Sequence, residues 1–217
     1  MKRALIVGCG SIGRRHAAIL DTLDYEVLAY DPFLTDEQRN TIETTNKAIS
    51  WVASGENGLL RAPSYAFICT PPYLHYHDAL LCLKAGVPTF VEKPLCTTYQ
   101  QAKHLADQAD SLGVKLACGY MLRAMPQLQM TKCRLTDYPA LAADIWCHWS
   151  RPVPATYPWP GVLEETAHEP NIGIFLFGQV KDVEVQLLNE HKAIFTVQHE
   201  WCPRVRYELV GDAQNYQ

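Results

Sequence analysis

Apolar residues come along the first half of the chain as short unbroken runs separated by amphipathic stretches. The runs at 3–7, 26–30, 48–52, 65–69, 89–91 and 115–118 are bounded by glycine, proline or an acid and read as buried strands. Between them, Ile12, Ile19, Leu20 and Leu23 share one face of a first helix, and residues 36–42 form a second. A short apolar helix follows the turn at 54–58. Residues 76–85 form the next, closed by Gly86. Thr98-x-x-Gln101 resembles a capping box that opens a helix to Leu112, with Gly113 as its stop. Strand and helix alternate to about residue 120, which predicts an α/β, doubly wound parallel sheet.

Beyond Tyr120 the rhythm changes. Residues 126–134 read as a helix, 140–149 as a long strand, and 151–160 as a loop dense in proline and aromatic residues. Residues 162–177 have helical spacing and close at Gly178. Three strand-like runs, 182–188, 193–199 and 204–210, then follow one another through short turns, which predicts an antiparallel sheet. The expected organisation is a dinucleotide-binding Rossmann domain over 1–120 and a smaller α+β domain over 121–217 with a reduced antiparallel sheet. Such a sheet leaves an apolar face to cover, with Trp146, Phe195, Val197 and Trp201 as candidates. A homodimer or larger homo-oligomer through that sheet is therefore expected.

Composition narrows the partners. The 217 residues carry a net charge of −4 and no run of lysine or arginine, which argues against nucleic acid and anionic membranes. No apolar stretch reaches the length of a membrane span, and Gly8 ends the first apolar run too soon for a signal peptide. Eight cysteines are scattered without a Cys-x-x-Cys pair, so buried free thiols in a reducing cytoplasm are expected. His75-x-His77 lacks companion ligands, and no metal site is expected.

The chemistry gathers where strands end. Gly8-Cys9-Gly10-Ser11-Ile12-Gly13 lies between a strand and a helix, and Asp31 closes the next strand, the context of a dinucleotide fold. Gly8 allows the tight turn, Gly10 lets the backbone approach a pyrophosphate, and Gly13 lets the helix pack close to the strand. The helix N-terminus offers free N–H groups to phosphates. A carboxylate at Asp31 accepts ribose hydroxyls and repels a 2′-phosphate, and no arginine immediately follows it, so NAD is favoured over NADP. Thr70-Pro71-Pro72 ends one strand and Glu92-Lys93-Pro94 another, both at the sheet's carboxyl edge, where open parallel sheets bind ligands. A Lys93–Pro94 bond is also a plausible cis peptide.

With these motifs the chain resembles the Gfo/Idh/MocA oxidoreductases, over residues 1 to about 185. The carriers are the glycine turn, Cys69-Thr70-Pro71-Pro72-x-x-His75, Glu92-Lys93-Pro94, Gly119-Tyr120-x-x-Arg123, and Gly161-Val162-Leu163 with His168. The resemblance implies an NAD(P)-dependent hydride transfer to or from a hydroxyl or carbonyl carbon of a sugar, nucleotide sugar or cyclitol. By the same resemblance, Gly8, Gly10, Ser11, Ile12, Gly13 and Asp31 hold the adenosine half of the cofactor. Thr70, Pro71 and His75 line its path, Glu92 contacts the nicotinamide side, and Lys93 faces both the nicotinamide ribose and the substrate. Arg123 reaches the substrate. His168 is the family's acid/base candidate, with Glu164 or Glu165 on its face, and Lys93 or His168 carries the proton. Trp149, Arg151, Tyr157 and Trp159 either line the sugar site or pack against the sheet.

Two departures from the family pattern stand out. Position 171 is Asn where the family commonly has Asp, and the second domain is markedly shorter than the family's wide sheet. A non-catalytic relative that binds a nucleotide or a protein partner is the alternative these features raise. An NAD-dependent glycosidase is a third.

Overall fold

The computed structural model describes residues 2–45, 49–137, 145–151, 162–202 and 204–211. It divides the chain into two compact units, Met1–Gly119 and Tyr120–Gln217.

In the first unit, strands β1 (Lys2–Val7), β2 (Tyr25–Tyr30), β3 (Ile49–Trp51), β4 (Tyr65–Ile68), β5 (Thr89–Val91) and β6 (Leu116–Cys118) pair in parallel in the order β3-β2-β1-β4-β5-β6. Successive side chains of a strand point to opposite faces, and here both faces are covered. Leu5, Val7, Leu28, Ala66, Ile68 and Val91 pack on one side with Ala79 and Leu83 of α4 (Pro72–Lys84) and Leu105 of α5 (Tyr99–Leu112). Ala4, Ile6, Val27 and Ala29 pack on the other with Ala17 and Leu20 of α1 (Ser11–Thr22) and Ile42 of α2 (Asp36–Thr45). Each fully buried Leu or Ile contributes roughly 1.5–3 kcal/mol, which is why these strands read as unbroken apolar runs. The short α3 (Gly55–Leu60) follows β3, its Ser54 hydroxyl accepting from Asn57 N.

Two helix starts refine the sequence reading. Helix α4 begins at Pro72 rather than at 76, because a proline in the first turn needs no N–H partner and has a helical φ. At α5 the Thr98 hydroxyl accepts from Gln101 N at 3.3 Å, and Gly113 closes the helix at φ 64°. The Gln101 side chain does not reach back to Thr98; it accepts from the Thr97 hydroxyl at 3.1 Å.

The second unit holds a 3-10 turn (Met121–Ala124), α6 (Pro126–Asp137), β7 (Ile145–Arg151), α7 (Val162–Glu165), α8 (His168–Phe177), β8 (Val180–Leu188), β9 (Lys192–His199) and β10 (Val205–Gly211). Its sheet runs β7-β10-β9-β8. The last three strands are antiparallel, but β7 runs parallel to β10, so the sheet is mixed rather than antiparallel. Short turns dictate the sense only of strands they join, and β7 is joined to the others through helices.

Two further expectations change. The stretch 162–177 is not one helix: α7 ends at Glu165 and α8 restarts at His168. Pro170 lacks the N–H that would bond to Thr166 O in a continuous helix, and Glu169 N takes that carbonyl at 3.2 Å instead. The four residues expected to share an exposed apolar face also separate. Phe195 and Val197 are buried with Tyr207, Leu209 and Phe177, whereas Trp146 is 67% exposed and pairs in register with Arg206 on the opposite face. Trp201, in the turn after β9, is 45% exposed. Among the described residues no helix is long and apolar enough to cross a membrane.

Candidate functional site

The carboxyl ends of β1, β2, β4 and β5 bring the sequence motifs of the first unit to one edge. After β1, Gly8 turns at φ +92°, with Cys69 and Thr70 backbone atoms 2.6–2.7 Å from where its Cβ would stand. A Cβ on Gly13 would overlap the Gly8 carbonyl oxygen, so the helix can approach the strand only through a glycine there. Gly10 is the reverse case: a Cβ would meet nothing within 4 Å, leaving open space over the turn. Ser11, Ile12 and Gly13 open α1. The first-turn amides of a helix have no intrahelical acceptor, and here no side chain caps them and no acid lies among them. An open approach at Gly10 beside uncapped amides fits a pyrophosphate, and with it a dinucleotide.

Asp31 is nearly buried and already committed to shaping this edge. Its Oδ2 accepts from Cys9 N at 2.7 Å and its Oδ1 from Phe33 N at 2.9 Å, each oxygen keeping a further lone pair for a hydroxyl. The structure also brings in a residue the sequence reading passed over. Arg39, from α2, donates to the Asp31 carbonyl at 2.9 Å and stacks 5.5 Å from the Trp51 ring. No arginine follows Asp31 directly, but the second turn of the next helix folds one back beside it.

At β4, the buried Thr70 hydroxyl donates to Asp78 Oδ2 at 2.9 Å, and Pro71 caps α4. His75 is buried, with Nδ1 2.7 Å from Pro94 O and Nε2 2.7 Å from Thr70 O. The ring thus ties the loop after β4 to the loop after β5, where the Lys93–Pro94 peptide is cis. Its nitrogens face the protein's own backbone.

Glu92 and the half-buried Lys93 follow β5. His16, on the second turn of the glycine-led helix, stands 2.7 Å from Glu92 Oε1, its ring held against Phe67 and Phe90 at 5.6 and 5.4 Å. Glu92 Oε2 accepts from Lys93 N at 3.3 Å, and a Cβ on Gly119 would come within 3.1 Å of that oxygen. Burial pushes the Glu92 carboxyl up. The His16 bond and charge, with the Lys93 amide and ammonium, outweigh it and leave the pKa below the usual carboxylate value. His16 was invisible as a partner because only the fold sets it beside a residue 76 positions away.

The thiols here are inert. Burial pushes Cys9 up to about 12, helped by Asp31, and drives Cys69 well above its ordinary value. All eight cysteines are free, and among the described residues no group of three or more His, Cys, Asp or Glu can hold a metal. His77 is exposed and turned to Asp78 at 3.4 Å, apart from the bonds of His75.

In the second unit, Arg123 donates Nε to Asn171 Oδ1 at 2.6 Å and Nη2 to Asn171 O at 3.5 Å. The His168 ring meets Tyr120 edge-on at 6.0 Å. Tyr120 and Arg123, three apart, therefore run alongside His168 and Asn171, three apart on α8. Glu165 ends α7, half-buried. Trp149 packs with the core that holds Leu209, its partner in register. Arg151 closes β7, where its backbone pairs with Gly211. Tyr157 and Trp159 lie outside the described residues.

The comparisons with known proteins agree with this geometry. Residues 2–120 match the family model of the oxidoreductases with an NAD-binding Rossmann fold, Gfo/Idh/MocA. The D-glucoside 3-dehydrogenase of Escherichia coli K12 is 28% identical over 137 residues, which are 62% of this chain and 39% of that protein. The chain thus spans about two fifths of the length of that curated relative. Among solved structures, the UDP-N-acetylglucosamine 3-dehydrogenase GnnA of Acidithiobacillus ferrooxidans superposes with a TM-score of 0.82 at 18% identity, covering 99% of this chain and 71% of that one. The WlbA (WbpB) dehydrogenase of Thermus thermophilus, solved with NAD and alpha-ketoglutarate, gives 0.85 at 20% identity, covering 100% and 75%. Those two likenesses establish the fold. With its glycine turn and Glu-Lys-Pro strand end on one sheet edge and over half its length matched, the chain belongs to the Gfo/Idh/MocA oxidoreductase family.

Proposed function

We propose that this chain binds NAD along the carboxyl edge of its first sheet and serves a hydride transfer at a hydroxyl or carbonyl carbon of a sugar, nucleotide sugar or cyclitol. One observation carries the reading: the glycine turn, Asp31 and Glu92-Lys93 stand at strand ends on one edge of the sheet, with His16 of α1 bonded to Glu92 at 2.7 Å. The helix suited to the pyrophosphate and the strand end that presents the lysine are thereby one supported unit.

When bound, the nicotinamide supplies or accepts the hydride. The chain's residues do the rest. Gly8, Gly10, Ser11, Ile12 and Gly13 hold the phosphates, and Asp31 takes the adenosine ribose hydroxyls. Its buried carboxylate, fixed by two amides, disfavours a 2′-phosphate and so NADP. Thr70 and Pro71 shape the path between the two halves, and His75 positions both loops instead of touching the cofactor. Glu92, held ionised by His16, steadies Lys93 at the nicotinamide side. Lys93 carries the proton at the substrate oxygen, and His168, with Glu165, is the other candidate for that proton. Arg123 contacts the substrate.

The test is an NADH titration followed by tryptophan-to-nicotinamide energy transfer, with NADPH, Asp31→Ala and Lys93→Ala alongside. NADH should bind more tightly than NADPH. Asp31→Ala should weaken NADH roughly 10- to 100-fold, the worth of hydrogen bonds to a charged group. Lys93→Ala should keep most NADH affinity while losing turnover in a screen of sugars and nucleotide sugars. No binding of either nucleotide, or turnover retained without Lys93, overturns the reading.

A further inference from the structure

Among the described residues, Arg3, Arg39, Arg61, Lys103 and Lys192 lie within ion-pair distance of a carboxylate. Arg123 and Lys132 are different: both are half-buried, and both are held by neutral groups. Arg123 is gripped through Nε and Nη2 by the side-chain and main-chain oxygens of Asn171, with its guanidinium 5.6 Å from the Phe175 ring centre. The Lys132 ammonium stands 4.2 Å from the centre of that same ring. Among the described residues no carboxylate pairs with either cation.

The helix explains why. Asn171 and Phe175 are one turn apart on α8, and His168 is one turn before Asn171, so all three share a face. The acid of that helix, Glu169, has its Oε2 buried. An asparagine offers Arg123 the acceptor geometry of a carboxylate without its charge. The guanidinium is therefore oriented, partly desolvated and still fully positive. It has donors to spare: five N–H groups, of which the two bonds to Asn171 use two. Cation–π contacts fix both cations over one ring without neutralising them.

We propose that Arg123 and Lys132 form an anion subsite of the second unit that takes the carboxylate or phosphate of an acidic sugar, and that Asn171 sets this preference by withholding a negative charge. The proposal rests on the sugar-substrate reading above and narrows it to acidic sugars. The guanidinium's remaining N–H donors and the lysine's ammonium, both charged, favour planar or tetrahedral oxyanions over hydroxyl groups.

The experiment is a calorimetric titration of the full chain, saturated with NAD, with D-glucuronate, D-glucose 6-phosphate and D-glucose. Asn171→Asp and Lys132→Met are the variants. At least one anion should bind roughly ten-fold or more tightly than glucose, the worth of one charge-assisted contact. Asn171→Asp should remove most of that preference by neutralising Arg123 in place, and Lys132→Met should reduce it in part. Neither variant should change NADH affinity. Preference for glucuronate alone assigns a carboxylate, for glucose 6-phosphate alone a phosphate, and for both an oxyanion of either kind. Anions binding no better than glucose, or a preference unmoved by Asn171→Asp, overturns the subsite. Since NADH affinity is read separately, loss of NADH binding with anion preference intact overturns the cofactor reading and leaves the subsite standing.

Discussion

The two units place their unmade polar bonds differently. Along the first sheet's carboxyl edge, Asp31 holds two backbone amides, His75 two carbonyls, Thr70 its Asp78 and Glu92 its His16. Arg39 Nε, beside Asp31, and Trp51 Nε1 are the exceptions among that unit's described residues. Beneath α8 in the second unit, the Tyr207 hydroxyl and His199 Nε2 are buried without a hydrogen-bond partner among the described residues. An unsatisfied buried group costs about 1–3 kcal/mol. The difference teaches where rigidity lies: the carboxylates, His75 and Thr70 of the first unit's edge are tied into bonds that hold a site's shape, and the second unit's core tolerates unmade bonds around a helix broken by Pro170.

A pair of glycines offers the hardest test of this contrast. At Gly13 an added methyl overlaps the Gly8 carbonyl oxygen, a main-chain atom that cannot swing aside as a side-chain end can. Gly13→Ala should cost about 3 kcal/mol, the upper part of the overpacking range, and abolish NADH binding. At Gly173 the methyl meets the Tyr207 hydroxyl, with His199 Nε2 at 3.2 Å, both side-chain ends. Gly173→Ala should cost about 1 kcal/mol, and Tyr207→Phe in the same chain should recover part of it by removing the atom in the way. Urea denaturation measures all three. Equal costs at the two glycines, or no recovery with Tyr207→Phe, would break the contrast.

His75 gives the intermediate effect. His75→Phe keeps the ring's bulk but removes the two nitrogens that stand 2.7 Å from Thr70 O and Pro94 O, at roughly 2 kcal/mol. Hydrogen exchange should quicken around residues 68–76 and 91–96 and stay unchanged in β9 and β10. Faster exchange in both units would show that the clamp is not local to the first.

What the sequence disclosed follows the same division. The first unit was legible because its strands are covered on both faces and its turns need glycine, so apolar runs and Gly8, Gly10 and Gly13 mark it directly. Its supports were not legible. His16 and Arg39 matter only because α1 and α2 fold them back to Glu92 and Asp31, and nothing local announces such a contact. In the second unit, period-two burial in β9 and β10 was readable, yet which face would be covered was not. Phe195 and Trp146 look alike as letters and fall on opposite sides of one sheet. The break at Pro170 was written in the sequence, but apolar spacing over 162–177 masked it. Asn171 read as a departure from a family pattern; beside Arg123 it is a partner.

The smallest effect separates the units by pH. Burial holds the His199 pKa below its ordinary 6.5, and its bond to the Gly178 carbonyl opposes this only in part. As pH falls through 6.5, the unfolded chain therefore takes up a proton before the folded one does. Stability falls with pH from there down to the depressed value, and no further from this group below it. Glu92 is depressed from 4.5, so the stability it contributes is present above 4.5 and is lost only as pH drops through its lowered value. The second unit should thus begin to loosen in a range where the first is still unaffected. His199→Asn keeps a donor for the Gly178 carbonyl but cannot titrate. Exchange protection in β9 and β10, followed from about pH 7.5 to about pH 5, should decline in the parent chain and decline less in the variant, with β1 and β4 unchanged in both. An identical decline with and without His199 would place the acid sensitivity elsewhere and remove one of the two differences between the units.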